Sequence, residues 1–396
     1  MFSYELPPEL IAQRPADDRE AARLLHVVPP HATHALGALG TTDAALAADA
    51  TGAAERFEER TIADLPSLLP EGALVVLNDT RVIPARLLGK KSETGGRVEI
   101  FLVRRIGTRS IEVAPEQPPR EVEVWRALGK ASKPLRFASD VLVGDPHGGK
   151  DDRLVVRLLA RAEDDGLLEV AVWSPSGESV DDAIRACGHV PLPPYIKRDD
   201  DERDTDRYQT VFARVDGAIA APTAGLHLTR ALLGRLAVRG CEVTTVTLHV
   251  GLGTFQPVTV EDLDLHPMHA ESYRISRTAA DAIASARRRG APVVAVGTTV
   301  ARALESAADP DATGLVRAGA GETRLLIQPG YAFRVVDTLL TNFHLPRSTL
   351  LAMVCAFAGT ARVLAAYERA VRDRFRFFSY GDAMLVHRDD GHGKSA

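Results

Sequence analysis

Cysteine is scarce. Cys187, Cys241 and Cys355 are the 3 in 396 residues, far apart and without a CxxC pair. That spacing excludes a disulfide scaffold and argues against a zinc centre, so the three read as reduced packing residues of a cytoplasmic protein. No apolar run approaches the roughly 18 residues of a membrane span, and Met1-Phe2-Ser3-Tyr4-Glu5 is no signal peptide. Excess basic charge is also missing. A net charge of −5 gives no global pull toward nucleic acid, so any such affinity must be local. GxSxG, Walker and dinucleotide-type GxGxxG motifs are absent, which disfavours serine hydrolases, P-loop enzymes and the usual Gly-rich methyltransferase loop. His266, His269 and Glu271 have no HExxH or cysteine partner, so no metal is expected. What remains is the ordinary hydrophobic and charged balance of a globular chain, long enough for two domains with full cores.

The N-terminal Tyr4–Leu25 segment reads as a short helix and an extended arm. Residues 29–54, rich in Ala, Gly and Thr, bury too little to offset their ordering entropy and read as a mobile loop. Ile62, Leu65 and Leu68 mark a short helix before Gly72. From Ala73 to about Pro175, short β-rich runs alternate with Gly, Pro, Asp and Lys clusters, the pattern of a small barrel or sandwich. Helical pattern flanks it on both sides. The expected fold is therefore an open α/β core (1–72 and 185–396) with an inserted small antiparallel β-barrel domain (73–184). The insertion is basic, with twelve Lys and Arg against six Asp and Glu between Arg86 and Arg136. Two readings stand for it: exposed strand faces, or a phosphate-contact surface. The acidic run Asp199–Glu202 reads as a solvated loop.

In the core, Ala218–Ala221, a helix from Leu226 to Gly240 and Val243–Val250 read as a βαβ unit. Both strands end in Gly- or Thr-bearing loops with a histidine close by, His227 and His249. Ligands of open α/β sheets bind at the carboxyl ends of strands, so both histidines are expected to face one crevice. Val293–Val296 and Leu325–Ile327 read as further strands. Gly297-Thr298-Thr299 opens a helix whose free N–H groups suit a carboxylate or phosphate, or are simply capped by a threonine. The closing TLLTNFHLPRSTLLAMVCAFAG gives a strand, a turn and a buried helix capped by Ser348. Tyr380-Gly381-Asp382 ends the fold, with Asp382 a site edge or a turn acceptor, and His387 onward reads as a frayed tail.

Ten ordered segments then resemble one family across nearly the whole chain: YELPPELIAQRP, LNDTRVIPARL, GGRVE, VPLPPYIKR, DRYQTVFAR, AAPTAGLH, TLHVGLGTFQPV, MHAES, LLTNFHLPRSTLL and FRFFSYGDAML. They look like the signatures of the S-adenosylmethionine:tRNA ribosyltransferase-isomerases of queuosine biosynthesis. The resemblance implies an α/β core with an inserted barrel. It also implies transfer of the ribosyl part of S-adenosylmethionine to 7-aminomethyl-7-deazaguanine in tRNA. Isomerisation to epoxyqueuosine follows, with adenine and methionine released. No cofactor beyond the S-adenosylmethionine co-substrate is implied; a monomer is expected.

The sulfonium acidifies the C5′ hydrogens, so the reaction needs a base of near-neutral pKa. His227 or His249 is the expected base, and Asp79 or Asp382 the group that orients or deprotonates the amine. Thr223, Gly225, Gly251, Gly253, Thr254, Thr298 and Thr299 are expected to hold the methionine or ribose part. Arg81, Arg86, Lys90, Lys91, Tyr195, Lys197, Asn342 and His344 are the expected tRNA or substrate contacts. Departures from the family pattern are Ala22 for a usual Ser, Val300-Ala301-Arg302-Ala303 after Gly297-Thr298-Thr299, Leu228 for a usual Phe, and the 29–54 insertion. The first two remove hydroxyls from positions expected to face ligand. Alternatives are a diverged member acting on a small deazapurine or another S-adenosylmethionine-derived substrate, and a non-catalytic RNA-binding protein.

Overall fold

The structure, a computed structural model, describes residues 2–29, 47–48, 54–113, 118–144, 152–161, 166–251, 263–266 and 268–389. Most of the 29–54 segment, together with Gly253 and Thr254, lies outside them.

The core is mixed α/β. In chain order its strands are β1 (Arg23–Val27), β2 (Phe57–Thr61), β3 (Leu74–Asn78) and the short β4 (Thr80–Val82). After the barrel come β11 (Val215–Ala218), β12 (Glu242–Leu248), β13 (Glu271–Ile275), β14 (Val293–Val296), β15 (Gly319–Thr323), β16 (Thr338–Asn342) and β17 (Ala383–His387). Nine of them form one sheet in the order β15-β13-β12-β3-β14-β16-β17-β1-β2. The four middle strands β12, β3, β14 and β16 are parallel. Three of these, β3, β14 and β16, are buried along their whole length, as strands covered on both faces must be. That is why they read as continuous apolar runs. From β3 the chain goes first to β12 on one side, then crosses to β14 on the other. The switch point therefore lies between β3 and β14, and the crevice rule places a ligand at their carboxyl ends.

Six further strands, β5 (Arg86–Lys91), β6 (Arg97–Ile111), β7 (Arg120–Ala131), β8 (Asp140–Gly144), β9 (Asp152–Arg161) and β10 (Leu168–Trp173), close into an antiparallel barrel. Its inward residues, among them Leu87, Ile100, Leu102, Val156 and Val170, pack a core of their own, which Ala183, Ile184 and Cys187 of helix Val180–Cys187 join. The chain enters and leaves side by side, with Arg86 and His189 exchanging both backbone hydrogen bonds.

Several expectations are corrected. ALVVLNDT, counted with the barrel strands, supplies the central core strand β3, so the β-rich run changes sheets after Asn78 rather than at Ala73. The strand expected at Ala218–Ala221 is Val215–Ala218, paired with β4 outside the large sheet. Its ladder is broken by a register shift around Gly217, and Pro222 has no N–H with which to resume it. The true parallel neighbour of β12 is β3. No strand forms at Leu325–Ile327; the Gly-bearing GAGET of β15 does instead, against its low β propensity. The expected tail at His387 is the end of β17, between β16 and β1. The acidic run is not a solvated loop. Asp200 accepts from Val190 N (3.0 Å) and pairs with Arg86 and His189, and Asp201 caps helix Glu202–Arg207.

The side-by-side passage leaves no space for a side chain at Gly188, where an added Cβ would lie 1.9 Å from the Pro84 carbonyl oxygen. Gly188→Ala is expected to cost about 3 kcal/mol, seen as a lower midpoint in urea unfolding, because backbone faces the new atom and cannot step aside.

Candidate active site

Strand ends bring six expected residues to one cavity. A space of 70 Å³ is lined by Tyr195, Thr223, Thr298, Thr299, Asn342 and His344, together with Tyr208, Phe378 and Ser379. Thr298 and Thr299 begin the helix Thr298–Ser306, whose N-cap is Gly297 at φ +95°. Neither threonine caps it, so its first N–H groups and positive dipole end remain available to a ligand. Val300, Ala301 and Ala303 of the same helix are wholly buried in the core. They are packing positions, not lost ligand contacts, and so is Leu228.

Asn342 is the hub. Its Nδ2 donates to His227 Nε2 and to the Phe378 carbonyl, both at 3.1 Å, while its Oδ1 accepts from Thr223 Oγ1 at 3.0 Å. Phe378 is thereby held at φ +71°, a left-handed conformation costly for a bulky residue. The Tyr195 ring stacks on Phe378 at 4.5 Å, with its hydroxyl 2.6 Å from Ser379 Oγ. Burial pushes that phenol up to about 12. His344 is pulled down to about 3 by burial and hydrogen-bonds Thr341 through Nε2.

The four catalytic candidates do not face one crevice, which corrects the expectation for the histidines. His227 is buried, with Nε2 occupied by Asn342. Burial, then the charges of Arg376 and Arg19, hold its pKa down at about 3. A second, shallow pocket reaches it between Arg19, Ala22 and Arg376. Asp382 is the turn acceptor: Oδ2 takes Arg376 N at 2.7 Å and Oδ1 takes Arg23 N at 3.1 Å. That leaves no free carboxylate for an incoming amine. His249 and Asp79 instead line a separate cleft of 670 Å³ with Arg214, Thr247, Tyr273 and Arg274. Buried Asp79 accepts from Thr247 Oγ1 at 2.6 Å and from Arg214 at 2.7 Å. His249 is half-buried, its Nδ1 2.9 Å from Thr80 Oγ1. Burial pulls its pKa below the ordinary value, and the Asp79 charge partly restores it.

Val215 lines the cleft, and Ala220 to Thr223 of the same segment line the cavity. Gly217 lies over the His249 ring so closely that a Cβ would come within 2.9 Å of Cε1. Asn78, at the end of β3, was missed as a site residue. Its amide bonds both backbone groups of Leu248 and reaches Thr299 Oγ1 at 3.5 Å, fixing the strand ends around the switch point. Its one sequence signal is an amide ending an otherwise apolar strand. Tyr208 and Phe378 carried no signal, because each reads as core.

Of the other expected contacts, Gly225 is closed against Phe212 and is a packing glycine. Gly251 donates its N–H to Glu271, which pairs with Arg302. Arg86 is consumed by Glu99, Asp199 and Asp200, and Lys91 by the carbonyls of Lys133 and Pro134. Arg81 is exposed and donates to the Ala213 carbonyl. Lys90 and Lys197 are exposed.

The family profile described as "Queuosine biosynthesis protein" matches residues 1–386. The S-adenosylmethionine:tRNA ribosyltransferase-isomerase of Sorangium cellulosum is 55 % identical over 98 % of this chain and 97 % of its own. That of Geobacter sulfurreducens is 49 % identical over 97 % and 98 %. The crystal structure of an S-adenosylmethionine tRNA ribosyltransferase from Thermotoga maritima matches 97 % of this chain and 99 % of its own, at 31 % identity and a TM-score of 0.48.

Buried His227 and His344 and half-buried His387 stay neutral in the folded protein, with pKa values of about 3 for the first two and about 4 for His387. Unfolding restores ordinary imidazoles, which take up protons below about pH 6.5. Stability is therefore full above that pH and falls as pH drops toward 4. The loss is about 1.4 kcal/mol per pH unit for each histidine. His344→Gln is expected to flatten the fall in unfolding midpoint between pH 6.5 and 5; an unchanged slope would contradict its buried neutral state.

Proposed function

The chain belongs to the queuosine biosynthesis protein family, and we propose that it performs the reaction for which its relatives are named. It transfers and isomerises the ribosyl part of S-adenosylmethionine onto 7-aminomethyl-7-deazaguanine in tRNA, giving epoxyqueuosine-tRNA, adenine and methionine. The observation that carries this is likeness to the named enzymes over nearly the full chain, core and barrel together, at 55 % identity. A non-catalytic RNA-binding module would not need that likeness over both parts. We take it to act in the cytoplasm as a monomer.

Within that reaction, His249 suits the base that takes a C5′ proton. Its depressed pKa keeps the imidazole neutral at pH 7, and it is partly open to a substrate. His227 suits a positioning role, since its free lone pair is already used. Thr223, Thr298, Thr299 and the Gly251–Gly253 loop would hold the methionine or ribose part. A cavity of 70 Å³ takes one end of such a molecule, and the uncapped helix start favours a carboxylate there. Asp79, locked by Thr247 and Arg214, orients rather than deprotonates.

We place the inserted domain from the Pro84 passage to Gly188, supported by the barrel's separate core. The barrel presents a backbone-binding surface for tRNA at the end that carries exposed Lys90, Arg97, Lys130, Lys133 and Arg136. Phe137 beside them is 63 % exposed, an aromatic available for base stacking.

Adenine release from S-adenosylmethionine, in the presence of tRNA carrying the aminomethyl-deazaguanine, tests the reaction. His249→Ala should lower kcat by about 100-fold or more. His227→Ala should lower thermal stability before it lowers the rate. The acid limb of kcat/KM should fall below pH 6.5, because a depressed imidazole must lose its proton to act. Near wild-type rates in both variants would remove histidine from the mechanism.

A further inference from the structure

The 670 Å³ cleft is built from a polar sheet face. Along β12 the alternate residues Thr245, Thr247 and His249 line it, and along β13 Ser272 and Arg274, with Ser276 just beyond. Of the intervening residues, Val246, Leu248 and Ile275 turn into the core, while Tyr273 packs partly on the core and also lines the cleft. Register sets Thr247 opposite Arg274, and Arg274 opposite the small Ala320 of β15. An open face of antiparallel strands is ordinarily polar; what sets this one apart is its concavity and its cationic lining. Two arginines stand on it. Arg274 is exposed and has no ion pair among the described residues. Arg214 spends part of its guanidinium on Asp79, yet its side chain is 75 % exposed. The volume lies inside the range of about 300–1,000 Å³ typical of sites for a molecule of nucleotide size.

We propose that this cleft receives the target nucleotide of the RNA, turned out of its base stack, with Arg214 and Arg274 on its flanking phosphates. This rests on the tRNA-modifying reading above. The reacting amine is carried by the base, so drawing the base out of its stack brings the amine into the cleft, and phosphate contacts from arginine offset the cost of holding it out. Within the cleft the aminomethyl group lies toward His249. The cavity proposed for the methionine end of the co-substrate is lined by Val250, the residue after His249.

The test uses the full chain and an anticodon stem-loop bearing the aminomethyl-deazaguanine, with 2-aminopurine as its neighbour. Wild-type protein should raise the 2-aminopurine fluorescence on binding. Arg274→Ala should raise KM for the RNA about tenfold. It should also flatten the dependence of log KM on log salt by about 0.7, the share of one single-strand phosphate, and leave KM for S-adenosylmethionine unchanged. Arg274→Lys should restore most of the salt slope. Ser272→Trp, an exposed position whose new ring would fill the cleft, should abolish the fluorescence rise while S-adenosylmethionine binding by calorimetry persists. An active enzyme in which Arg274→Ala and Ser272→Trp both keep the wild-type RNA KM, salt slope and fluorescence change would overturn the proposal. The free modified nucleoside monophosphate, turned over as well as the stem-loop and with the same Arg274 dependence, would place a small molecule there instead and equally overturn it. Absence of adenine release by wild-type protein would count against the reaction, and RNA binding by fluorescence would still decide the cleft.

Discussion

A single side-chain amide joins the parts of this molecule that lie far apart in sequence. Asn342 ends a fully buried parallel strand, where neither its carbonyl nor its amino group can reach bulk water. An unsatisfied amide in such a place costs about 1–3 kcal/mol, so its partners are fixed as firmly as those of a backbone group. Those partners are Thr223 from the PTAGLH turn, His227 one helical turn on, and the carbonyl of Phe378 from the closing loop. Because the Phe378 carbonyl can only accept, the amide nitrogen must face it and His227, and His227 must offer that nitrogen a lone pair. The neutral, Nδ1-protonated form of that imidazole follows from the wiring as well as from burial.

The same network explains why the chain's chemistry collects where it does. Strand order puts the switch point between Leu74–Asn78 and Val293–Val296, and the two amides Asn78 and Asn342 stand on either side of the strand that starts the Gly297 helix. One fastens the end of the neighbouring strand through Leu248; the other fastens the turn and the closing loop. Between them the helix start is left without a cap. Four carboxylates and imidazoles that look alike as residue types thus acquire different states. Asp382 and His227 become structural, while Asp79 braces an arginine at an open face and His249 stays accessible beside it.

Much of this was legible in the residues. Buried parallel strands announce themselves as apolar runs, Ser348 caps the helix that follows it, and Thr223, Thr298, Thr299, Asn342 and His344 stand out by polarity beside apolar stretches. What was hidden has common physical causes. The strand Gly319–Thr323 forms by pairing alone, with no β-branched signal until its last residue. Leu74–Asn78 looks like any barrel strand until its partners are known, because a period of two says nothing of which sheet a strand joins. The split between His227 and His249 was equally invisible. It depends on a ladder that slips at Gly217 and ends at Ala218, and on a proline that cannot extend it, both tertiary outcomes of local chemistry. Arg86 counted as a basic surface residue only while Asp199 and Asp200, more than a hundred positions away, were read as solvated.

The absent side chain at Gly217 has a geometric corollary. Gly217 leaves bare one side of the His249 imidazole, where any Cβ would stand 2.9 Å from Cε1. A larger residue there would press on the ring and turn it away from Thr80. The aim of this imidazole is therefore set by a position that carries no chemistry of its own.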